Sequence, residues 1–404
     1  MTFPGYTCFQ FTTVPDFQKL SASYQHALLR QVVPFWLQHG RDALCGGYFD
    51  LLSSTGDVIE GDKFVTAQAQ QAWAFCWLYN TFDGQPAWLA HALHGGAFLR
   101  QYAQTDTLDC YARLDRRGRP LTPATDTVPA CLVVMAYAQL ARATGQDQWS
   151  RLAQRTFDTM LKNRETNLAN QRESIGGFRQ LRHLSELTTL LKAVLDMQPV
   201  LDEDAWKAAI DTALHGIMHE FLDRRTDTLR EYILPEGAFV NTPEGRRLPV
   251  GLTFQTVGYL LDLCTEIGNR KLVMQVITWC LRMCEQAWDE TAGGLYQYVD
   301  VKNQPSIFPD AQQKWAWVHL EALCALIKGY FQTGHPDCLK WFTRVHDYTF
   351  TQFSGQKNGG WHLVIDQHRQ PILRVKAIPE INCFSQIRCL AESAQLLTNH
   401  EPHR

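Results

Sequence analysis

The chain has 404 residues, 45% hydrophobic and 20% charged, which is enough to bury a large core. Its formal charge of -3, with Lys and Arg scattered along the sequence, leaves no basic stripe for nucleic acid and no polybasic segment for a membrane surface. No apolar run approaches the roughly 20 residues of a membrane span, and residues 1–13 lack a charged start and apolar stretch, so a cytoplasmic protein with small neutral partners is expected.

In chain order, apolar residues at helical spacing predict helices over 17–39, 64–83, 86–105, 127–145, 147–164, 182–197, 203–222, 251–267, 270–288, 314–333, 335–354 and 380–397. The clearest stripe is Leu272, Val273, Val276, Ile277, Cys280, Leu281 and Cys284. Paired glycines recur between helices at Gly46-Gly47, Gly176-Gly177, Gly293-Gly294 and Gly359-Gly360. Aspartate-led turns at Asp115–Pro120, Asp300–Pro305 and Asp366–Pro371 read as short β-hairpins. Twelve helices make six helical hairpins, and small β-hairpins between them suggest a closed ring of two concentric layers with one decorated rim. With no linker to divide it, the chain is expected to be one all-α domain over 1–404. The twelve cysteines, which show no CxxC spacing and mostly sit in apolar runs, are expected as buried free thiols instead of disulfides or a zinc site.

Five stretches in order carry a family resemblance. Gly46-Gly-Tyr-Phe-Asp and Lys63-Phe-Val-Thr-Ala-Gln-Ala-Gln-Gln-Ala-Trp come first, then His183-Leu-Ser-Glu186 and Lys314-Trp-Ala-Trp-Val-His-Leu-Glu-Ala322. Phe384-Ser-Gln-Ile-Arg388 is the last. Together they resemble the N-acylglucosamine 2-epimerases and related aldose–ketose isomerases. The resemblance implies an (α/α)6 barrel that moves a proton beside a sugar carbonyl, using a base and an acid and no metal or redox cofactor. Two histidines on opposite sides of a cavity suit that task, because imidazole exchanges protons near neutral pH.

This sequence departs from the family pattern at four positions. The family's Pro-Gly-His-x-x-Glu appears as Val250-Gly-Leu-Thr-Phe-Gln255, so Leu252 and Gln255 replace its histidine and glutamate. Ser385 stands for the second histidine, and Gln70 for an arginine of the first inner helix. The expected site is therefore one central cavity lined by Gln70, Arg179, His183, Gln255, Trp317 and Arg388, with Leu252 and Ser385 in its wall and His183 as the catalytic imidazole.

Arg179 lies one helical turn before His183, so the two share a face if the helix already includes residue 179, and Glu186, at i+3, could orient the imidazole. Trp317 and Glu321 share a helix face, whereas His319 lies about 200° from Trp317 and reads as structural. The carboxylates nearest the motifs are Asp126, Glu231 and Glu321. Arg388 could anchor a sugar hydroxyl or acidic group, or pack against Glu392. The changed positions leave three functions open: a sugar isomerase or epimerase with an altered site, a sugar-binding or regulatory protein without catalysis, and, more weakly, a glycoside hydrolase or lyase on the same fold. The expected partner is a small sugar, with neither nucleic acid nor membrane, and a homodimer is compatible with this reading.

Overall fold

In the computed structural model of the chain, residues 15–173, 181–235, 237–354, 361–372 and 375–399 are described. Among them are twelve long helices, which run close to the ranges expected except that the fifth continues from the expected end at 164 to Glu173. Helix α1 covers 17–39 and has a π-helical middle turn, Ala27–Val32. It is followed by α2 Val65–Thr81, α3 Pro86–Tyr102, α4 Val128–Thr144, α5 Asp147–Glu173 and α6 Leu184–Met197. Helix α7 starts at Glu203–His215 and runs on through a π-helical turn, Gly216–Phe221. The series ends with α8 Val250–Ile267, α9 Arg270–Ala287, α10 Ala316–Thr333, α11 Pro336–Gln352 and α12 Cys383–Asn399.

The even-numbered helices form the inner layer: α2 packs on α4, α4 on α6, α6 on α8, α8 on α10, α10 on α12, and α12 closes the circle on α2. Each odd-numbered helix covers an inner one, and α1 reaches across the closure to α12, where Ser21 donates to the Ala394 carbonyl at 2.9 Å. This is an (α/α)6 barrel. Position in the ring explains the two sequence patterns. Inner helices such as α8 and α10 touch neighbours on both flanks and are apolar on most faces. Outer helices bury one stripe, and in α9 that stripe is Leu272, Val273, Val276, Ile277, Cys280 and Cys284. Asp202 and Asn269 cap the N-termini of α7 and α9, while Gly145, Gly268 and Gly334 close α4, α8 and α10 in the left-handed region. Ten of the eleven described cysteines are buried, and all eleven are free thiols.

All inner helices run the same way, so their N-termini gather at one mouth, and the short strands sit there. Lys63–Phe64 leads into α2, Arg182–His183 into α6, Arg247–Pro249 into α8, Lys314–Trp315 into α10 and Val375–Ala377 towards α12. Two sequence readings are corrected here. Residues 182–183 and 314–315 are extended rather than helical, because each pairs with another strand, 232–233 and 364–365 respectively. The turn after Asp300 does not close a hairpin, since Tyr298–Asp300 pairs back to Arg247–Pro249. The Asp115 and Asp366 turns do bring their flanking residues into antiparallel pairing. Gly176-Gly177 and Gly359-Gly360 lie outside the described residues.

The two described glycine pairs share one construction. Asp42 accepts from the N–H groups of Leu44 and Cys45 and pairs with Lys63 at 3.1 Å, and Asp289 accepts from Thr291 and Ala292 and pairs with Lys314 at 2.8 Å. In both loops the paired glycines adopt positive φ. Burial opposes ionisation of these aspartates, but hydrogen bonds from Arg116, the Cys45 N–H and Lys63 hold Asp42 well below the usual carboxylate range. Those from Lys314, Ala292 and Thr291 take Asp289 down to about 2. An unfolded aspartate titrates near 3.9, so as acid is added the unfolded chain binds these protons first. The stabilisation is complete above about pH 4 and is lost as pH falls towards 2. Urea unfolding measured from pH 5 to pH 2 is therefore expected to show falling stability, with a shallower fall in an Asp289→Asn variant.

Candidate functional site

The mouth built by the inner N-termini opens into a cavity of about 490 Å³. Gln70 comes from α2, His183 and Ser185 from the start of α6, Leu252 and Gln255 from α8, Trp317 from α10, and Asn382, Phe384 and Ser385 from the start of α12. Gly251 leaves room for the Trp317 ring, which lies where a side chain on α8 would project. The wall also takes in Glu231, Tyr232, Arg247 and Tyr298, on or beside the short strands, and Glu380 ahead of α12.

On one side stands His183, an extended residue that caps α6. Its Nδ1 accepts from the Ser185 N–H at 3.1 Å and lies 2.6 Å from the Ser185 hydroxyl. An acceptor role for Nδ1 places the proton on Nε2, which is 3.0 Å from Glu231 Oε1. The antiparallel pairing of 182–183 with 232–233 holds Glu231 against the imidazole. The other Glu231 oxygen pairs with Arg247, whose guanidinium lies over the Tyr298 ring at 4.2 Å and the Tyr232 ring at 5.3 Å. Glu186, expected to orient the ring, instead accepts from the His183 backbone N–H and so completes a capping box, its carboxyl pushed up by burial and by Asp126. The partner that orients the imidazole is Glu231.

Behind the wall at Gln255 and Ser385, Glu321 is buried at 1% exposure. Its Oε1 accepts from Gln255 Nε2 at 2.9 Å and from Ser385 Oγ at 2.7 Å, so both residues are tied to one carboxylate. Its Oε2 pairs with Arg388. Arg388 was expected to line the cavity, and does not. It is fully buried behind the wall, between Glu321 and Glu392, with Lys328 joining Glu392 at 2.8 Å and Asp262 at 2.7 Å. The helix period aims Arg388 into the interface between α10 and α12 instead of along the mouth.

Gln70, His183, Gln255 and Trp317 do share the cavity, with Leu252 and Ser385 in its wall. Gln70 accepts from Asn382 at 2.8 Å. Arg179 lies outside the described residues, and the helical turn imagined to link it to His183 is replaced by the strand at 182–183. His319 is structural: its Nδ1 donates to the Trp315 carbonyl, its Nε2 accepts from the Leu295 N–H, and burial pushes its pKa down to about 3. Asp126 caps the Val128 N–H at the exposed start of α4. Sequence reasoning did not reach Ser185, Tyr232 or Arg247. Their only signal was proximity to the motifs, because strand pairing across 48 residues brings Glu231 and its neighbours to His183.

Comparison with known proteins agrees with this architecture. The chain is 30% identical over 380 residues to the N-acylglucosamine 2-epimerase of Bos taurus, covering 92% of this chain and 90% of that one. It is also 30% identical over 381 residues to the enzyme of that name from Homo sapiens, covering 91% and 88%. Among solved structures, the cellobiose 2-epimerase of Bacillus thermoamylovorans superposes with a TM-score of 0.81 at 19% identity, covering 93% of this chain and 99% of that one. A D-mannose isomerase gives 0.79 at 14% identity, covering 97% and 100%, and at such identities both likenesses speak for the fold. Since residues 47–380 match the N-acylglucosamine 2-epimerase (GlcNAc 2-epimerase) family, and the curated relatives of that name match over nine-tenths of the chain, the chain belongs to that family.

Proposed function

We propose that this protein is a sugar isomerase or epimerase with a rebuilt proton-transfer site, in which His183 is the working imidazole. The observation that carries the reading is that His183 stands in the cavity of a chain belonging to the N-acylglucosamine 2-epimerase family, facing a wall with Leu252 and Ser385. Neither leucine nor serine exchanges a proton at neutral pH as imidazole does. One imidazole can take a proton from carbon 2 and return it on the same face, so aldose–ketose isomerisation fits better than inversion, which needs groups on both faces. Gln70, Gln255 and Asn382 supply amide groups for sugar hydroxyls, and Trp317 supplies an aromatic face for C–H groups. The same proposal takes residues 1–404 as one barrel domain acting on a small sugar, in the cytoplasm and as a homodimer. Among the described residues, no helix is long and apolar enough to cross a membrane.

The second reading is a sugar-binding protein without catalysis. It is favoured by the state of Glu321, whose Oε1 accepts from Gln255 Nε2 and Ser385 Oγ and whose Oε2 pairs with Arg388, which leaves that carboxylate no free oxygen to act as a base. A pooled screen of aldoses, ketoses and amino sugars in deuterated water, followed by NMR, separates the two. Deuterium entering carbon 2 is the expected result. Saturable binding without exchange would sink the isomerase reading and leave the binding protein.

A further inference from the structure

We propose that the same cavity carries a second activity, hydrolysis of sugar O-acyl esters, with Ser185 as nucleophile, His183 as base and Glu231 as the group that orients it. The Ser185 hydroxyl is 2.6 Å from His183 Nδ1, and His183 Nε2 is 3.0 Å from Glu231 Oε1. All three residues line the cavity. A nucleophile beside an imidazole that is itself held by a carboxylate is the arrangement that activates serine, and it is recognised by geometry and roles, not by chain order. Helix capping accounts for the Ser185 N–H on Nδ1. It gives no reason for the serine hydroxyl to address that nitrogen as well, or for a 5% exposed carboxylate to hold the other one.

The chemistry closes without a cofactor. As Ser185 Oγ bonds to the acyl carbon, its proton passes to His183 Nδ1, and Glu231 steadies the resulting imidazolium through Nε2–H. The tetrahedral oxyanion forms beside the N-terminus of α6, where the helix dipole favours negative charge. Collapse breaks the bond to the sugar oxygen, which leaves with the Nδ1 proton as a hydroxyl. Water then attacks the acyl-serine, gives a proton to Nδ1 and releases the carboxylic acid, and that proton returns to Ser185. The cavity suits an acylated sugar, with Gln70 and Gln255 available to hydroxyls and Leu252 to the acyl chain.

This activity needs no exchange at carbon 2, so its success or failure is separate from that of the isomerase reading. The test uses the full chain with a fluorophosphonate probe, followed by peptide mass mapping, and with 6-O-acetylglucose, followed by acetate release in NMR. The expected results are a covalent adduct on Ser185 and not on Ser385, and acetate release that falls at least about 100-fold in Ser185→Ala. The mapping is done on the unaltered chain, so it stands even if the variant folds poorly. No adduct on Ser185, or acetate release undiminished in a folded Ser185→Ala chain, would overturn the proposal.

Discussion

Arg388→Met is expected to cost about 3–5 kcal/mol of stability, read as a lower urea midpoint, and not to act as the removal of a sugar contact. The guanidinium is fully buried and is shared by Glu321 and Glu392, at 3.0 Å from the latter. Burial alone would raise the Glu392 carboxyl, but Lys328 and Arg388 hold it down, at about 2. Without Arg388, Glu321 is left charged at 1% exposure with only Gln255 and Ser385 as donors, and two neutral hydrogen bonds do not replace a guanidinium. If Arg388 instead bound substrate, the variant would keep its urea midpoint and lose affinity for sugar alone. A double variant, Arg388→Met with Glu321→Leu, removes both charges and is expected to recover part of the loss.

The contrast between Arg388 and His183 shows how far the sequence could be read. The ring was legible because helix period and glycine breaks are local signals, and twelve helices of similar length alternating with short turns leave few other arrangements. Four of the expected cavity residues were reached through motifs at inner helix N-termini, where the backbone enters the mouth from a strand and the first turn must face inward. Arg388 sits only three residues beyond Ser385, yet it lies behind the wall, because a net offset of about 60° around the helix and a rise of about 4.5 Å carry it towards α10. Arg247, and the pairing of Glu231 with His183, were out of reach for a different reason. Glu231 is brought to His183 by strand pairing between 182–183 and 232–233, and Arg247 sits on the strand paired with 298–300; strands of two or three residues leave almost no periodic trace. The strands at 182–183 and 314–315 were absorbed into helices for the same reason.

His183→Ala is expected to lower carbon-2 deuterium exchange by about 10²–10⁴-fold, the usual worth of one acid–base group, with little effect on sugar binding by the remaining wall. The expectation follows from the cavity's composition: among the described residues, no other histidine lines it, and the carboxylate beside the imidazole, Glu231, is held by Arg247. Glu231→Gln should act in the same direction but more weakly, because an amide oxygen still accepts from Nε2–H while the negative charge facing the imidazolium is gone. Adding back imidazoles tests the same reasoning from the other side. Leu252 is 8% exposed and lies in the wall, so Leu252→His places a ring within the cavity, and Ser385→His can keep a hydrogen bond to Glu321. The Leu252→His, Ser385→His double variant is expected to gain epimerisation over isomerisation, measured as the ratio of 2-epimer to ketose formed from one aldose, because protons can then be delivered on both faces. An unchanged ratio in a folded, sugar-binding double variant would mean that the sugar lies across the cavity in another pose, with His183 alone in reach of carbon 2.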